Sequence, residues 1–156
     1  MTAMVVMDTG RFLFSTDRSK LDVDMIHQFL TRSYWAEGIP RETVVRSIEN
    51  SLCFGVYADG TQVGFARVIS DFATFAYLAN VFILEPYRER GLGKELMATI
   101  IAHPELQGLR RWSLGTRDAH GLYAQFGFRP VENPARTMME IANPGVYLRP
   151  SEGKNG

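Results

Sequence analysis

Apolar residues recur at two periods along the chain, and the switches between those periods lay out its elements. Residues 11–15 (RFLFS) predict a short strand. Asp22 is placed to cap a helix running to about Ser33, with Val23, Ile26 and Leu30 on its apolar face. Residues 34–40 (YWAEGIP) predict a loop. Pro40 is placed to open a second helix, whose face is Val44, Val45, Ile48 and Leu52. Residues 54–58 alternate as a strand, Asp59-Gly60 makes a hairpin turn, and residues 62–69 return. Residues 75–84 are nearly all apolar, which predicts a central strand covered on both faces. A turn rich in arginine and glycine follows, then a helix over residues 91–102 with Leu92, Leu96 and Ile100 as its buried stripe. His103-Pro104 ends it. Residues 111–115 predict a strand, 121–126 a short helix, and 128–131 and 137–142 two closing strands. Leading hairpins, a βαβ unit and closing strands make a mixed α/β layered domain rather than a purely parallel sheet. That domain is expected over residues 1–150, with 151–156 (SEGKNG) as a flexible tail.

Composition narrows the function classes. The chain has 156 residues, 46% of them apolar, so it can bury roughly 70% of its unfolded surface without disulfides or metal. Lys plus Arg and Asp plus Glu both number 17, which argues against a generic nucleic-acid binder. One cysteine, Cys53, allows no internal disulfide and fits a reducing compartment. No basic segment leads into a long apolar run, so the expectation is a cytoplasmic protein away from the membrane.

The chemistry concentrates in Arg88, Glu89, Arg90, Gly91, Leu92, Gly93 and Lys94. A buried strand enters a tight turn there and a helix leaves it. The first N–H groups of that helix have no internal partner, its dipole adds positive potential, and Arg88, Arg90 and Lys94 add charge. Together they suit a phosphate or pyrophosphate. A P-loop needs Ser or Thr after Gly93-Lys94 and a glycine separated from Gly93 by four residues; neither is present. The dinucleotide fingerprint needs a third glycine where Leu96 stands.

What remains, Arg88-x-x-Gly91-x-Gly93 after an apolar strand, resembles the acetyl-CoA-binding motif of the GNAT (general N-acetyltransferase) superfamily. Some thirty residues on, Leu122-Tyr123-Ala124-Gln125-Phe126-Gly127-Phe128 is similar to that family's second signature, with room between for one helix and one strand. The resemblance spans residues 54–142. It implies an acyl-CoA N-acyltransferase-like fold: a mixed, mostly antiparallel central sheet with helices on both faces.

The same resemblance implies acetyl-CoA as co-substrate, no metal, and direct attack by a primary amine in a ternary complex. The pyrophosphate would sit on residues 88–94. Main-chain atoms of Val81, Phe82 and Ile83 would bind the pantetheine arm, and an N–H there would face the thioester carbonyl. Tyr123 maps onto the general acid: a phenol near pKa 10 can share a proton with a departing thiolate. Many relatives carry a carboxylate base on the central strand; here the strand has Asn80 instead, which can orient water or substrate but cannot accept the proton. The base is then a water chain, His120, or an acid such as Asp118, unless the amine has a low pKa. His120 lies three residues before Tyr123 and has a pKa suited to proton relay.

The resemblance also implies that the loop joining the first two helices covers the acceptor pocket. Tyr34, Trp35 and Glu37 lie on it and suit an ammonium group, and Tyr77 is placed to join them from the strand. The acceptor is expected to be a small-molecule amine or an exposed amino group, with a second copy of the chain as the other partner considered. The alternative is a sensor that binds CoA or acyl-CoA without transfer. The histidines are too scattered for a metal site, Cys53 reads as a core residue, and Met138-Met139 are expected to pack in the last strand.

Overall fold

The structure, a computed structural model, describes residues 6–9 and 11–148, the first four by their main chain. Six strands form one sheet in chain order: β1 (Val6–Thr9), β2 (Phe12–Ser15), β3 (Leu52–Ala58), β4 (Thr61–Ser70), β5 (Phe75–Ile83) and β6 (Arg111–Leu114). Every neighbouring pair is antiparallel except β5 with β6. The helices are α1 (Val23–Thr31), α2 (Arg41–Glu49), α3 (Leu92–Ile101), α4 (His120–Ala124) and α5 (Pro134–Thr137). A parallel pair needs a crossover, and α3 supplies it between β5 and β6. The mixed, mostly antiparallel α/β architecture is thus the one expected.

By Cα proximity the chain forms two units. Among the described residues, the first holds those up to Asp22 and 48–129, with the sheet, α3 and α4; the second holds 23–47 and 130–148. In the first, one sheet face and α3 share a core. Phe14, Phe54, Val56, Val63, Ala66, Val68, Ala76 and Leu78 meet Leu92, Leu96, Met97 and Ile100. Each such side chain contributes about 1.5–3 kcal/mol when fully buried. The opposite face buries Cys53, Tyr57, Phe65 and Phe82. The β3–β4 turn is the one its sequence demands. Asp59 (φ 50°) and Gly60 (φ 83°) are both left-handed, which turns the chain in two residues and seats Ala58 opposite Thr61. His103 stops α3, accepts the Glu105 N–H at Nδ1 (3.1 Å) and lies edge-on to Phe54.

In the second unit Ile26 and Leu30 of α1 are buried, and α2 starts where Pro40 offers its carbonyl to the N–H groups of Thr43 and Val44. Gly38 has φ 84°, and a Cβ there would lie 2.8 Å from Leu148 Cδ2 and 3.0 Å from the Tyr147 carbonyl. Only glycine fits both demands.

Four expectations are corrected. Leu52 does not extend the second helix: α2 stops at Glu49, and Leu52 opens β3 opposite Val68. β5 is not covered on both faces, since Phe75 and Tyr77 stay 39% and 38% exposed. Its apolar run had hidden a one-sided alternation. The closing strands over 128–131 and 137–142 are absent. Pro130 and Pro134 remove ladder donors, Asn133 is left-handed (φ 49°), and residues 134–137 wind into α5. Met138 and Met139 therefore pack in no strand and are 47% and 100% exposed. β1 was not anticipated. The expected tail at 151–156 lies outside the described residues. No described helix is long and apolar enough to cross a membrane.

Candidate functional site

The site grows from the place where β5 loses a neighbour. β6 pairs with β5 only from Phe75↔Arg111 to Leu78↔Leu114 and then ends. β5 continues for five residues, 79–83, with no strand among the described residues along that edge. On its other edge it stays with β4 through a bulge: Ala79 faces Arg67 and Phe82 faces Phe65, so Asn80 and Val81 together oppose Ala66. Such a bulge bends a strand and increases its twist. Asn80 takes the strain, with φ 56° in the left-handed region. Val81, Phe82 and Ile83 thus run beside an open lane, and in an extended strand alternate N–H and C=O groups point into it.

Beyond Ile83 the chain is tied down and then turned. The Leu84 N–H bonds the Val63 carbonyl (2.8 Å), residues Glu85–Tyr87 form one tight helical turn, and Arg88 Nε reaches back to the Ile83 carbonyl (2.8 Å). Glu89 (φ 64°) and Gly91 (φ 78°) are both left-handed, and α3 starts at Leu92. The main-chain N–H groups of Glu89, Arg90, Gly91, Leu92, Gly93 and Lys94 have no hydrogen-bond partner among the described residues. Six successive donors without a described partner at a helix N-terminus, with its dipole behind them, have the chemistry that suits an anion. A Cβ on Gly91 or Gly93 would meet nothing closer than Leu122 Cδ2, 3.7 Å from the Gly93 position, so the space over the donors is open. Arg88, Arg90 and Lys94 are exposed around it, and the Arg90 guanidinium lies over the Tyr87 ring at 5.6 Å. Arg88 therefore also fastens the turn to the strand.

That Leu122 contact brings α4 against the start of α3. The next residue, Tyr123, is 9% exposed, belongs to the core cluster and meets Phe128 edge-on at 5.9 Å. His120 is the exposed first residue of α4; its side chain caps nothing and makes no hydrogen bond among the described residues. Asp118 is exposed on the turn before it. Tyr77 stands opposite Ser113, with its hydroxyl beside Gly115 at the end of β6. In the second unit Tyr34 and Trp35 meet edge-to-face at 5.1 Å, and each is nearly half exposed.

Asn80 differs from expectation. Its Oδ1 accepts from Arg67 Nε (2.8 Å), and Arg67 Nη1 donates to Ser51 Oγ (3.1 Å). The side chain expected to orient water or substrate is held by a neighbouring strand. Sequence reasoning missed Arg67, though a lone arginine inside the apolar run of β4 was a legible signal. Cys53 is a buried residue near the start of β3, as expected, and burial pushes its thiol up to about 12, which the nearby Arg67 and Arg18 charges only partly offset. No cluster of three metal-ligating side chains occurs among the described residues.

The sequence profile described as the Acetyltransferase (GNAT) family matches residues 23–128. A Gibberella zeae protein named provisionally as acetyltransferase FG08082 is 33% identical over 139 residues, covering 74% of this chain and 77% of that protein. The crystal structure of a Xanthomonas campestris pv. campestris protein, assigned provisionally to the same acetyltransferase family, is 52% identical. It superposes with a TM-score of 0.85 over 90% of this chain and 99% of that one. A Clostridium acetobutylicum protein described as a predicted acetyltransferase, solved with acetyl-CoA, shares the fold at 13% identity, with a TM-score of 0.60 over 91% of this chain and 96% of that one.

Proposed function

The chain belongs to the GNAT acetyltransferase family, and on that premise we propose that it transfers the acetyl group of acetyl-CoA to a primary amine by direct attack in a ternary complex. One observation carries the reading: six unpaired main-chain donors on residues 89–94, at the end of a strand whose edge is open over residues 79–83. A diphosphate satisfies the donors and an extended amide-bearing arm satisfies the edge, and CoA joins those two chemistries in one molecule. Acetyl-CoA supplies the activated acyl group as its thioester.

The residues of this chain do the rest. The donors on residues 89–94, with Arg88, Arg90 and Lys94 around them, hold the pyrophosphate. Main-chain groups of Val81, Phe82 and Ile83 align the arm as an added strand would, and one N–H faces the thioester oxygen as it gains negative charge. A donor so placed is worth about 10²–10³ in rate. Tyr123 gives its phenolic proton to the departing thiolate. The attacking amine must first lose a proton, and β5 offers no carboxylate for it. Ordered water, or His120 or Asp118 at the start of α4, takes that proton. Asn80 acts by holding the bulge through Arg67, and Tyr77 lines the acceptor side. The acceptor is a small amine or an exposed amino group.

Titration calorimetry with acetyl-CoA, followed by thiol-release assays over a panel of primary amines, tests this. Binding followed by amine-dependent thiol release is the expected result. Binding without turnover above hydrolysis points to the CoA sensor, the reading that the lack of a strand carboxylate favours. No heat with excess acetyl-CoA removes both.

A further inference from the structure

Strand register gathers one set of side chains on a common face of the sheet. Arg67 of β4 lies opposite Ala79 of β5, and Tyr77 and Phe75 lie opposite Ser113 and Arg111 of β6. Alternation puts Ala76 and Leu78 on the other face, in the core that α3 and Tyr123 fill. Within the unit that holds the sheet, helices therefore close one face. An amine reaches the lane beside residues 81–83 from the face of Arg67 and Tyr77.

That face is basic. β3, β4, β5 and β6 contain two arginines, Arg67 and Arg111, and no Asp or Glu. The turn joining β4 to β5 has one acid, Asp71, and its carboxylate is spent on that turn. Oδ1 accepts the N–H groups of Ala73, Thr74 and Phe75, and Oδ2 accepts the Thr74 hydroxyl. Arg67 also fixes which way Asn80 faces. A guanidinium only donates, so the atom 2.8 Å from its Nε is the Asn80 carbonyl oxygen, and the amide NH2 is turned away from it. Within the unit that holds the sheet, that NH2 has no partner, and neither has the Tyr77 hydroxyl, which stands beside Gly115 where β6 ends and the lane begins. An amide NH2 cannot hold an ammonium, which is itself only a donor. It can hold a carboxylate.

Resting on the acetyl-transfer reading, we propose that the acceptor is a small amino acid: an amine whose own carboxylate meets the Asn80 NH2 and the Tyr77 hydroxyl, under the positive charge of Arg67. The amine nitrogen bonds to the acetyl carbon, the C–S bond breaks, the thiol leaves with a proton, and the carboxylate is unchanged. A polyamine would bring only further positive charge to this face, and a lysine side chain would bring no anion.

The test measures thiol release by the full chain with the common α-amino acids and β-alanine, each beside its carboxamide, and with spermidine and a lysine-containing peptide. At least one amino acid is expected to exceed its carboxamide, spermidine and the peptide by about 10-fold or more in kcat/KM. Asn80→Asp keeps the oxygen that Arg67 holds and tolerates the left-handed φ, but it replaces the NH2 with a second carboxylate oxygen. It is expected to abolish the preference by raising KM for the amino acid, with acetyl-CoA still bound in calorimetry. A side chain that only held the bulge would change every acceptor alike. Tyr77→Phe removes one hydroxyl outside the bulge and is expected to lower the preference severalfold; it carries the test if Asn80→Asp does not fold. Equal or better turnover of the carboxamides, spermidine or the peptide overturns the proposal and leaves acetyl transfer standing. So does a preference that both variants retain. No thiol release with any amine overturns acetyl transfer, and calorimetry of the amino acids on the CoA-bound protein then decides the carboxylate site. Binding that Asn80→Asp abolishes sustains it, and no binding overturns it.

Discussion

Tyr123 is held by packing rather than by position in sequence alone: its ring is nine-tenths buried beside Phe128 while α4 rests against the turn that would hold the cofactor. Tyr123→Phe keeps that packing and removes only the proton. It is expected to lower kcat by about 10²–10⁴ while leaving the acetyl-CoA dissociation constant within a few fold, measured by steady-state thiol release and calorimetry. A second tyrosine answers to packing alone. Tyr57 folds over Gly55, and a Cβ there would lie 2.7 Å from Tyr57 Cζ. Gly55→Ala is therefore expected to cost about 1–3 kcal/mol in urea denaturation, the usual range for overpacking. The Tyr57 hydroxyl is buried with no hydrogen-bond partner among the described residues, so Tyr57→Phe is expected to raise stability by about 1 kcal/mol in the same assay. Tyr123 was legible because its neighbours form a local signature. Tyr57 was not, because an orphaned hydroxyl is a property of what surrounds it.

The element that matters most is the turn from β5 into α3, and its two glycines do different work. Gly91 adopts φ 78°, so Gly91→Ala is expected to cost about 1–2 kcal/mol of stability even without ligand. Gly93 lies inside the helix with open space where its Cβ would be. Gly93→Ala is expected to raise the stability of the free protein, by up to about 1 kcal/mol, and to weaken acetyl-CoA binding. Thermal shift without ligand and calorimetry with it separate the two effects; equal losses in both variants would contradict the assignment. The spacing of arginine and glycines announced this turn because local backbone geometry dictates those residues. The bulge at Asn80 and Val81 was silent in the sequence, since it exists only as a register difference between β4 and β5.

At the scale of the molecule, β3 sets how stability responds to base. Burial pushes the Cys53 thiol up to about 12 from 9.0, and burial, with the Asp17 and Asp22 charges, pushes the Tyr57 phenol up to about 12 from 10.0. Both groups keep their protons in the folded protein at a pH where the unfolded chain has lost them. Stability is therefore full below about pH 9 and falls as pH rises toward 12. Melting temperature against pH should show that fall, and Cys53→Ala combined with Tyr57→Phe should flatten it.

Period, turn residues and the two glycine-bearing signatures act over a few neighbours. The types of the elements from β2 to α4, the Asp59-Gly60 hairpin, the turn rich in arginine and glycine and the family resemblance could therefore be read along the chain, whereas β1 and the fate of residues 128–142 could not. Pairing was another matter. The early end of β6, the lane beside Val81, Phe82 and Ile83 and the capture of Asn80 by Arg67 each depend on which distant segments meet. A strand-like pattern states a preference for pairing but names no partner, and backbone hydrogen bonds form only where folding has brought a second edge alongside.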